Sequence, residues 1–196
     1  MLHIVDDEEV IRDALIWLAR TRGIAATPYA SSEEFLHALE GSFHFDPNGD
    51  CLLLDIRMPG LSGVALFDAL LARGNAQRIP VIFLTGHGDV PLAVDSIKRG
   101  AFDFFEKPFN DNTLMDRVQE ALTASREASA AAEVQARLEG LSAREREVLE
   151  LILEGNMNKV IADKLGISMR TVEVHRAHIF DKMNVKTAVE LARLLK

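Results

Sequence analysis

The chain has 196 residues, 48% hydrophobic and 27% charged, enough apolar surface for one large core or two modest ones. No stretch approaches the ~18 consecutive apolar residues of a membrane helix, the opening "MLHIVDDEEV" is acidic and strand-like where a leader would be basic and then apolar, and the single cysteine, Cys51, excludes a disulfide framework. The net charge of −8 is uneven: residues 1–139 carry 12 Lys and Arg against 22 Asp and Glu, net −10, while residues 140–196 carry 10 against 8, net +2. An acidic front and a slightly basic tail predict two domains with different partners, in a cytoplasmic protein with no membrane contact.

In the first part, apolar runs alternate with amphipathic stretches. "LHIV" (2–5) reads as a buried strand, and a helical pattern follows from Glu9 to about Thr21. "AATPYA" (25–30) is a second strand, and "SSEEFLHALE" (31–40) opens a helix with serine caps and first-turn acids. "CLLLD" (51–55), "IPVIFLTG" (79–86) and "FDFFEK" (102–107) read as strands, with helices over 63–74, 89–100 and from near Asn110. Strands spaced by helices of this length form βαβ units, and five of them make a doubly wound parallel sheet covered on both faces. Ligands of such sheets gather at the carboxyl ends of the strands. The last helical pattern holds no Pro or Gly from Leu114 to Glu139, and its apolar stripe fades after about residue 123. Residues 124–140 are therefore expected to form a helical linker, with a frayed linker as the alternative.

The tail, 141–196, is all helical. "LSAREREVLELILEG" starts with a capping box, Ser142 with Glu145, and its alternating Arg and Glu read as a solvated face. A short helix ends at Gly166, Ser168 caps "MRTVEVHRAHIFDKM", and "KTAVELARLLK" closes the chain. Four short helices with a glycine turn between the second and third make a helix-turn-helix layout.

The strand ends carry the chemistry. Asp6 and Asp7 end the first strand, Asp55 the third, Thr85 the fourth and Lys107 the fifth. Carboxylates crowded in one pocket repel unless a cation neutralises them. An all-oxygen set suits Mg²⁺. Asp55 is then an oxygen nucleophile toward a phosphoryl group, giving an aspartyl phosphate, with Lys107 and Thr85 holding the phosphoryl oxygens. Lys107 precedes Pro108, a candidate cis bond. The plainer alternatives are that Asp6 and Asp7 cap a helix and that Thr85 and Lys107 are turn residues. Phe104 and Phe105 must face opposite sides, so one of them is core. His87 reads as a loop residue, Trp17 as a core anchor, and His175 with His178 as phosphate or solvent contacts.

"IVDDE", "LLLDIRMPGLSG", "VIFLTGHGDV" and "GAFDFFEKPF" together resemble the motif set of the receiver domain of two-component response regulators, across residues 1–123. The resemblance implies a CheY-like (flavodoxin-like) fold, Asp55 as phosphoacceptor, and Mg²⁺ held by Asp6, Asp7, Asp55 and the backbone carbonyl of Arg57. It also implies Thr85 and Lys107 as the phosphate-sensing pair, Phe104 as the aromatic switch, and a cis peptide before Pro108. The tail is similar to the LuxR/FixJ-type DNA-binding domain, which puts the helix from about Met169 into the major groove. Arg170, Thr171, Glu173, Val174, Arg176 and Ala177 then lie in its first turns, and Lys159, His175, Arg176 and Lys182 are the expected phosphate contacts.

These readings combine into a phosphorylation-switched transcription regulator. A sensor histidine kinase is its phosphoryl donor, and a homodimer of the phosphorylated form reads two half-sites on double-stranded DNA. Aspartyl-phosphate enzymes place a second acid two residues after the nucleophile; Arg57 stands there, which argues against an enzyme. The other alternative is a constitutive DNA-binding regulator whose receiver does not switch.

Overall fold

The computed structural model describes residues 1–41, 43–86 and 90–195; His87 lies outside the described residues. The chain divides into two compact units, Met1–Ser129 and Ala130–Lys196.

In the first unit, β1 (Leu2–Val5), β2 (Ala26–Tyr29), β3 (Cys51–Asp55), β4 (Val81–Thr85) and β5 (Asp103–Glu106) alternate with α1 (Glu9–Thr21), α2 (Ser32–Glu40), α3 (Gly63–Ala72) and α4 (Val90–Lys98), and α5 (Asp111–Glu139) follows. Among the described residues the strands form one parallel sheet in the order β2-β1-β3-β4-β5. Pro28, which lacks a ladder donor, is accommodated because β2 is an edge strand.

Side-chain parity divides the sheet into two cores. Leu2, Ile4, Cys51, Leu53, Ile82 and Leu84 pack with Leu15 and Ala19 of α1 and Leu114, Met115 and Val118 of α5. Val5, Leu52, Leu54, Val81 and Phe83 pack on the other face with Phe35 of α2 and Leu66, Phe67 and Leu70 of α3. Every residue of β3 and β4 is buried, as parallel strands covered on both faces must be. Phe105 joins the first core and Phe104 the second, both half-buried. Burial also pushes the Cys51 thiol far up, so it is a small hydrophobe here and not a nucleophile.

Trp17 is not a core anchor: it is 68% exposed on the outer face of α1. The inward positions of α1 are filled by Leu15 and Ala19, and Trp17 lies off that stripe by half a turn.

The second unit packs α6 (Ala143–Leu153), α7 (Asn158–Leu165), α8 (Met169–Met183) and α9 (Ala188–Leu194) around Val148, Ile152, Ile161, Val172, Ile179, Met183 and Leu191. The capping box at Ser142 and Glu145 forms, and Ser168 caps α8 through the Thr171 N–H at 3.1 Å. Gly166 ends α7 at φ +64°, a left-handed conformation that a Cβ would disfavour, and so turns the chain into α8. The Arg and Glu alternation of α6 is not uniformly solvated. Glu145 is 4% exposed, because a residue at N3 that reaches back to the cap is drawn under the helix start.

Candidate functional site

The order of strands reverses between β1 and β3, the place where a doubly wound sheet opens a crevice at its carboxyl edge. Asp6 follows β1 and Asp55 ends β3, so the topology puts these two carboxylates side by side. The Lys107 ammonium, one residue past β5, bridges them, donating to Asp55 Oδ1 at 2.8 Å and to Asp6 Oδ2 at 2.9 Å. Asp6 is fully buried and Asp55 is 7% exposed.

Each group is held from behind. Asp6 Oδ1 accepts from the Glu8 N–H at 2.9 Å, and the Asp6 carbonyl accepts from the Arg12 guanidinium at 2.7 Å. Asp55 Oδ2 accepts from the Arg57 N–H at 2.8 Å. The Lys107 N–H donates to the Thr85 carbonyl at 2.7 Å, and the Lys107–Pro108 peptide is cis. Thr85 is fully buried and its hydroxyl donates to the Gly86 carbonyl at 3.0 Å. Gly63 approaches the Asp55 carbonyl so closely that a Cβ there would lie 2.0 Å from the oxygen, so only glycine closes this loop.

Burial pushes the Asp55 carboxyl above its ordinary value, and the negative charge of Asp6 adds to that. The hydrogen bond and charge of Lys107 and the Arg57 N–H work the other way. Burial likewise opposes the Lys107 ammonium, but its bonds to Asp55 and Asp6 together hold its pKa above the ordinary lysine value. The result is a largely buried carboxyl group with one oxygen on an ammonium and the other on a backbone N–H, held in one orientation.

Asp7 is exposed, and no hydrogen bond joins it to the Asp6–Lys107–Asp55 group. Among the described residues no set of three or more His, Cys, Asp or Glu side chains is preassembled around one point. Two buried carboxylates with an exposed third beside them in sequence suit a hard cation that takes one or two carboxylates and keeps its waters. They would not suit a thiolate- or imidazole-seeking metal.

Two supports were not visible in the sequence. Glu33, at the start of α2, accepts the Leu61 N–H at 2.8 Å and so clasps the loop after Asp55. Gly60, at φ +75°, leaves room for it, since a Cβ would meet Glu33 Oε1 at 2.6 Å. Arg12 reads in sequence only as a polar residue of an amphipathic helix. Neither bond has a sequence signature: Glu33 and Leu61 are 28 residues apart and meet only in the fold, and an arginine six residues past Asp6 matches no capping pattern.

In the second unit, Arg170, Glu173, Val174 and Ala177 are exposed along the amino-terminal part of α8, and Lys159 is exposed at the start of α7. Thr171 is half-buried, its hydroxyl 2.8 Å from that of Ser168. His175 and Arg176 are half-buried, with the Arg176 guanidinium 5.3 Å from the Phe180 ring centre. Lys182 behaves differently: its ammonium donates to Glu145 Oε2 at 2.7 Å and to the Gly140 carbonyl at 3.2 Å. His178 Nδ1 lies 3.7 Å from Glu145 Oε1.

The family of response regulator receiver domains matches residues 2–119, and the luxR family of bacterial regulatory proteins matches residues 139–195. The chain is a two-component response regulator. This regulator is 52% identical to the C4-dicarboxylate transport transcriptional regulatory protein DctR of Rhodobacter capsulatus, over 98% of each chain. It is 44% identical to the transcriptional regulatory protein FixJ of Azorhizobium caulinodans, over 98% of this chain and 90% of that one. Among solved structures it resembles the response regulator StyR, with a TM-score of 0.72 and 38% identity over 99% of this chain and 96% of that one. It also resembles full-length FixJ from B. japonicum, with a TM-score of 0.59 and 40% identity over 98% and 94%. The response regulator thus joins a CheY-like receiver to a LuxR-type DNA-binding domain, in a family of transcription regulators. No helix of the described residues is long and apolar enough to cross a membrane.

Proposed function

We propose that Asp55 accepts a phosphoryl group from a sensor histidine kinase and that the acquired charge controls promoter binding by the second domain. The observation that carries this reading is the Lys107 ammonium shared by Asp55 and Asp6 at the switch point of the sheet. In the transfer, an Asp55 oxygen forms a bond to phosphorus as the phosphorus–nitrogen bond of the donor breaks, leaving the electron pair on the imidazole. Asp6, Asp55, the Arg57 carbonyl and Asp7 are the groups that would hold Mg²⁺, which when bound neutralises the charge that collects there.

Once Asp55 is phosphorylated to the acyl phosphate, Lys107 keeps a phosphoryl oxygen as its acceptor. The Thr85 hydroxyl, now spent on its neighbour's carbonyl, gains a stronger acceptor on the other side. Movement of Thr85 leaves space for the half-buried Phe104, and a two-state surface of β5 and the adjoining helices is biased. Its output is a homodimer that reads two half-sites with two copies of α8, or release of the DNA-binding domain. Residues 1–123, 124–140 and 141–196 are the receiver, linker and DNA-binding segments of this scheme, which operates in the cytoplasm.

The test is the light-scattering mass in Mg²⁺ with and without beryllofluoride, which mimics an acyl phosphate. A shift from monomer to dimer in wild type, absent in Asp55→Ala, is expected. An unchanged mass together with unchanged DNA affinity would leave a constitutive DNA-binding regulator.

The kinase needs a docking surface beside Asp55. On α1, Val10, Ala14 and Trp17 form an exposed stripe, with Val10 at 79% and Trp17 at 68% exposure. A groove of about 310 Å³ runs between this helix and Phe109, two residues past Lys107. An exposed Trp beside a groove is the type of residue that dominates interface energetics. Trp17→Ala is expected to slow phosphotransfer about tenfold from any sensor kinase that phosphorylates the wild type, in the range of an interface anchor. The rate from acetyl phosphate, too small to use the groove, should not change, and equal slowing with both donors would refute the assignment.

A further inference from the structure

The carboxylate of Glu145 is almost completely buried at the start of α6, a place where sequence reading expects a solvated face. One of its oxygens takes the Ser142 N–H at 2.8 Å and the Lys182 ammonium at 2.7 Å. Lys182 also donates to the Gly140 carbonyl, and the Arg137 guanidinium donates to the carbonyl of the next residue, Met183, at 3.2 Å. The final turn of α8 is therefore tied to the segment 137–145 by three charge-assisted bonds, while its first turns are held chiefly by the Ser168 cap and the Val172 side chain.

We propose that Glu145 and Lys182 form a positioning clamp that sets the axis of the DNA-reading helix, and that Lys182 is not a phosphate contact. Lys182 has three donors, and two are spent inside the domain. From Lys182 to Thr171 the helix extends about 16 Å. A swing of about 5° at the clamp moves the reading end by roughly 1.4 Å over that length, against a placement tolerance of about 0.5 Å for a functioning site. Loss of the clamp thus degrades base reading, which depends on geometry, more than backbone attraction, which depends on charge. The proposal rests on α8 being the helix that reads DNA.

The sign of the effect separates the alternatives. Glu145→Gln removes a negative charge and frees the Lys182 ammonium, while glutamine still accepts from the Ser142 N–H. On charge alone, every DNA should bind more tightly. With the clamp, binding to the correct sequence weakens.

The experiment uses the full chain in Mg²⁺ and beryllofluoride, with two probes measured over a range of salt. One is a 40-base-pair duplex (chosen as about four helical turns) enriched from a random library by the wild type, and the other is the same duplex scrambled. Glu145→Gln is expected to weaken the enriched duplex about tenfold, the size of one lost base contact, with the scrambled duplex unchanged or bound more tightly. Lys182→Met should weaken the enriched duplex similarly without altering the salt slope. Lys159→Met, at an exposed position, should reduce that slope by about 0.9. Lys182→Arg should restore most of the specific affinity.

Tighter binding of both probes by Glu145→Gln would overturn the clamp, as would a reduced salt slope in Lys182→Met. Thermal melts of each variant show whether the measured chain is folded, and Glu145→Gln, with its cap intact, carries the test if Lys182→Met unfolds. Arg170→Ala serves as a separate arm: no effect on the enriched duplex would remove α8 as the reading helix, and the clamp with it.

Discussion

Asp55→Asn is expected to abolish phosphoryl acceptance while leaving the receiver folded. The amide has no anionic oxygen to form the acyl phosphate, so labelling by acetyl phosphate should fall by about 10³-fold or more, as for other deletions of a nucleophile. Stability should hold or rise. In the wild type, two carboxylates share one ammonium, and burial and the neighbouring Asp6 both raise the Asp55 pKa. Asparagine keeps one oxygen, for either the Lys107 ammonium or the Arg57 N–H but not both, and removal of that repulsion offsets the lost bond. The measurements are intact mass spectrometry of the phosphoryl adduct and a thermal melt. An adduct of undiminished yield in the variant would mean that another residue is the acceptor.

Removing Glu145 outright is expected to destabilise the DNA-binding unit strongly for a charged residue. Its carboxyl is held down to about 2 from an ordinary 4.5, first by the hydrogen bond from Lys182 and then by the Ser142 N–H, against the cost of burial. A carboxyl with a depressed folded pKa contributes stability above its unfolded pKa and loses it as pH falls through the folded one. The contribution is therefore complete above about pH 4.5 and decays toward pH 2. Since Lys182 is 41% exposed, solvent screens the pair, and roughly 2 kcal/mol is a fair size for it. Glu145→Ala also deletes half of the capping box, so about 3 kcal/mol in total is expected at neutral pH. Glu145→Gln should lose about 2 kcal/mol, its cap intact. The exposed His178 faces the other carboxylate oxygen, Oε1, with its Nδ1 at 3.7 Å. Denaturant melts between pH 2 and 7 check this: if the gap between wild type and Glu145→Gln does not shrink below pH 4.5, the ion pair is not its source.

Much of this protein was legible in one dimension because its signals are local. The strand runs and their bounding helices follow from periodicity and from caps such as Ser31, Ser142 and Ser168, whose hydroxyls accept from backbone N–H groups three residues on. Asp55 announced itself as an acid at the tip of a run otherwise buried on both faces, and Asp6, Thr85 and Lys107 by ending neighbouring strands. Trp17 was misread because a large apolar residue is core far more often than not, and helical phase over one turn distinguishes the two faces weakly. The burial of Glu145 was missed for the complementary reason, although its place in the capping box was read from the sequence. An acid in a charged run is normally solvated, and only the arrival of Lys182 from 37 residues away makes its burial tolerable.

The sequence by itself determined the two-domain order, the parallel sheet, the helix-turn-helix and the acid at the end of β3, since each depends on spacing along the chain. Only the tertiary structure decided which charges meet. The register of β1 beside β3 brings Asp6 to Asp55, the end of β5 delivers Lys107 to both, α2 lends Glu33 to the loop beyond, and α8 turns Lys182 inward onto Glu145. Those pairings span 28 to 101 residues. Electrostatics acts through distance in space, and sequence separation carries no record of it until the hydrophobic cores have closed.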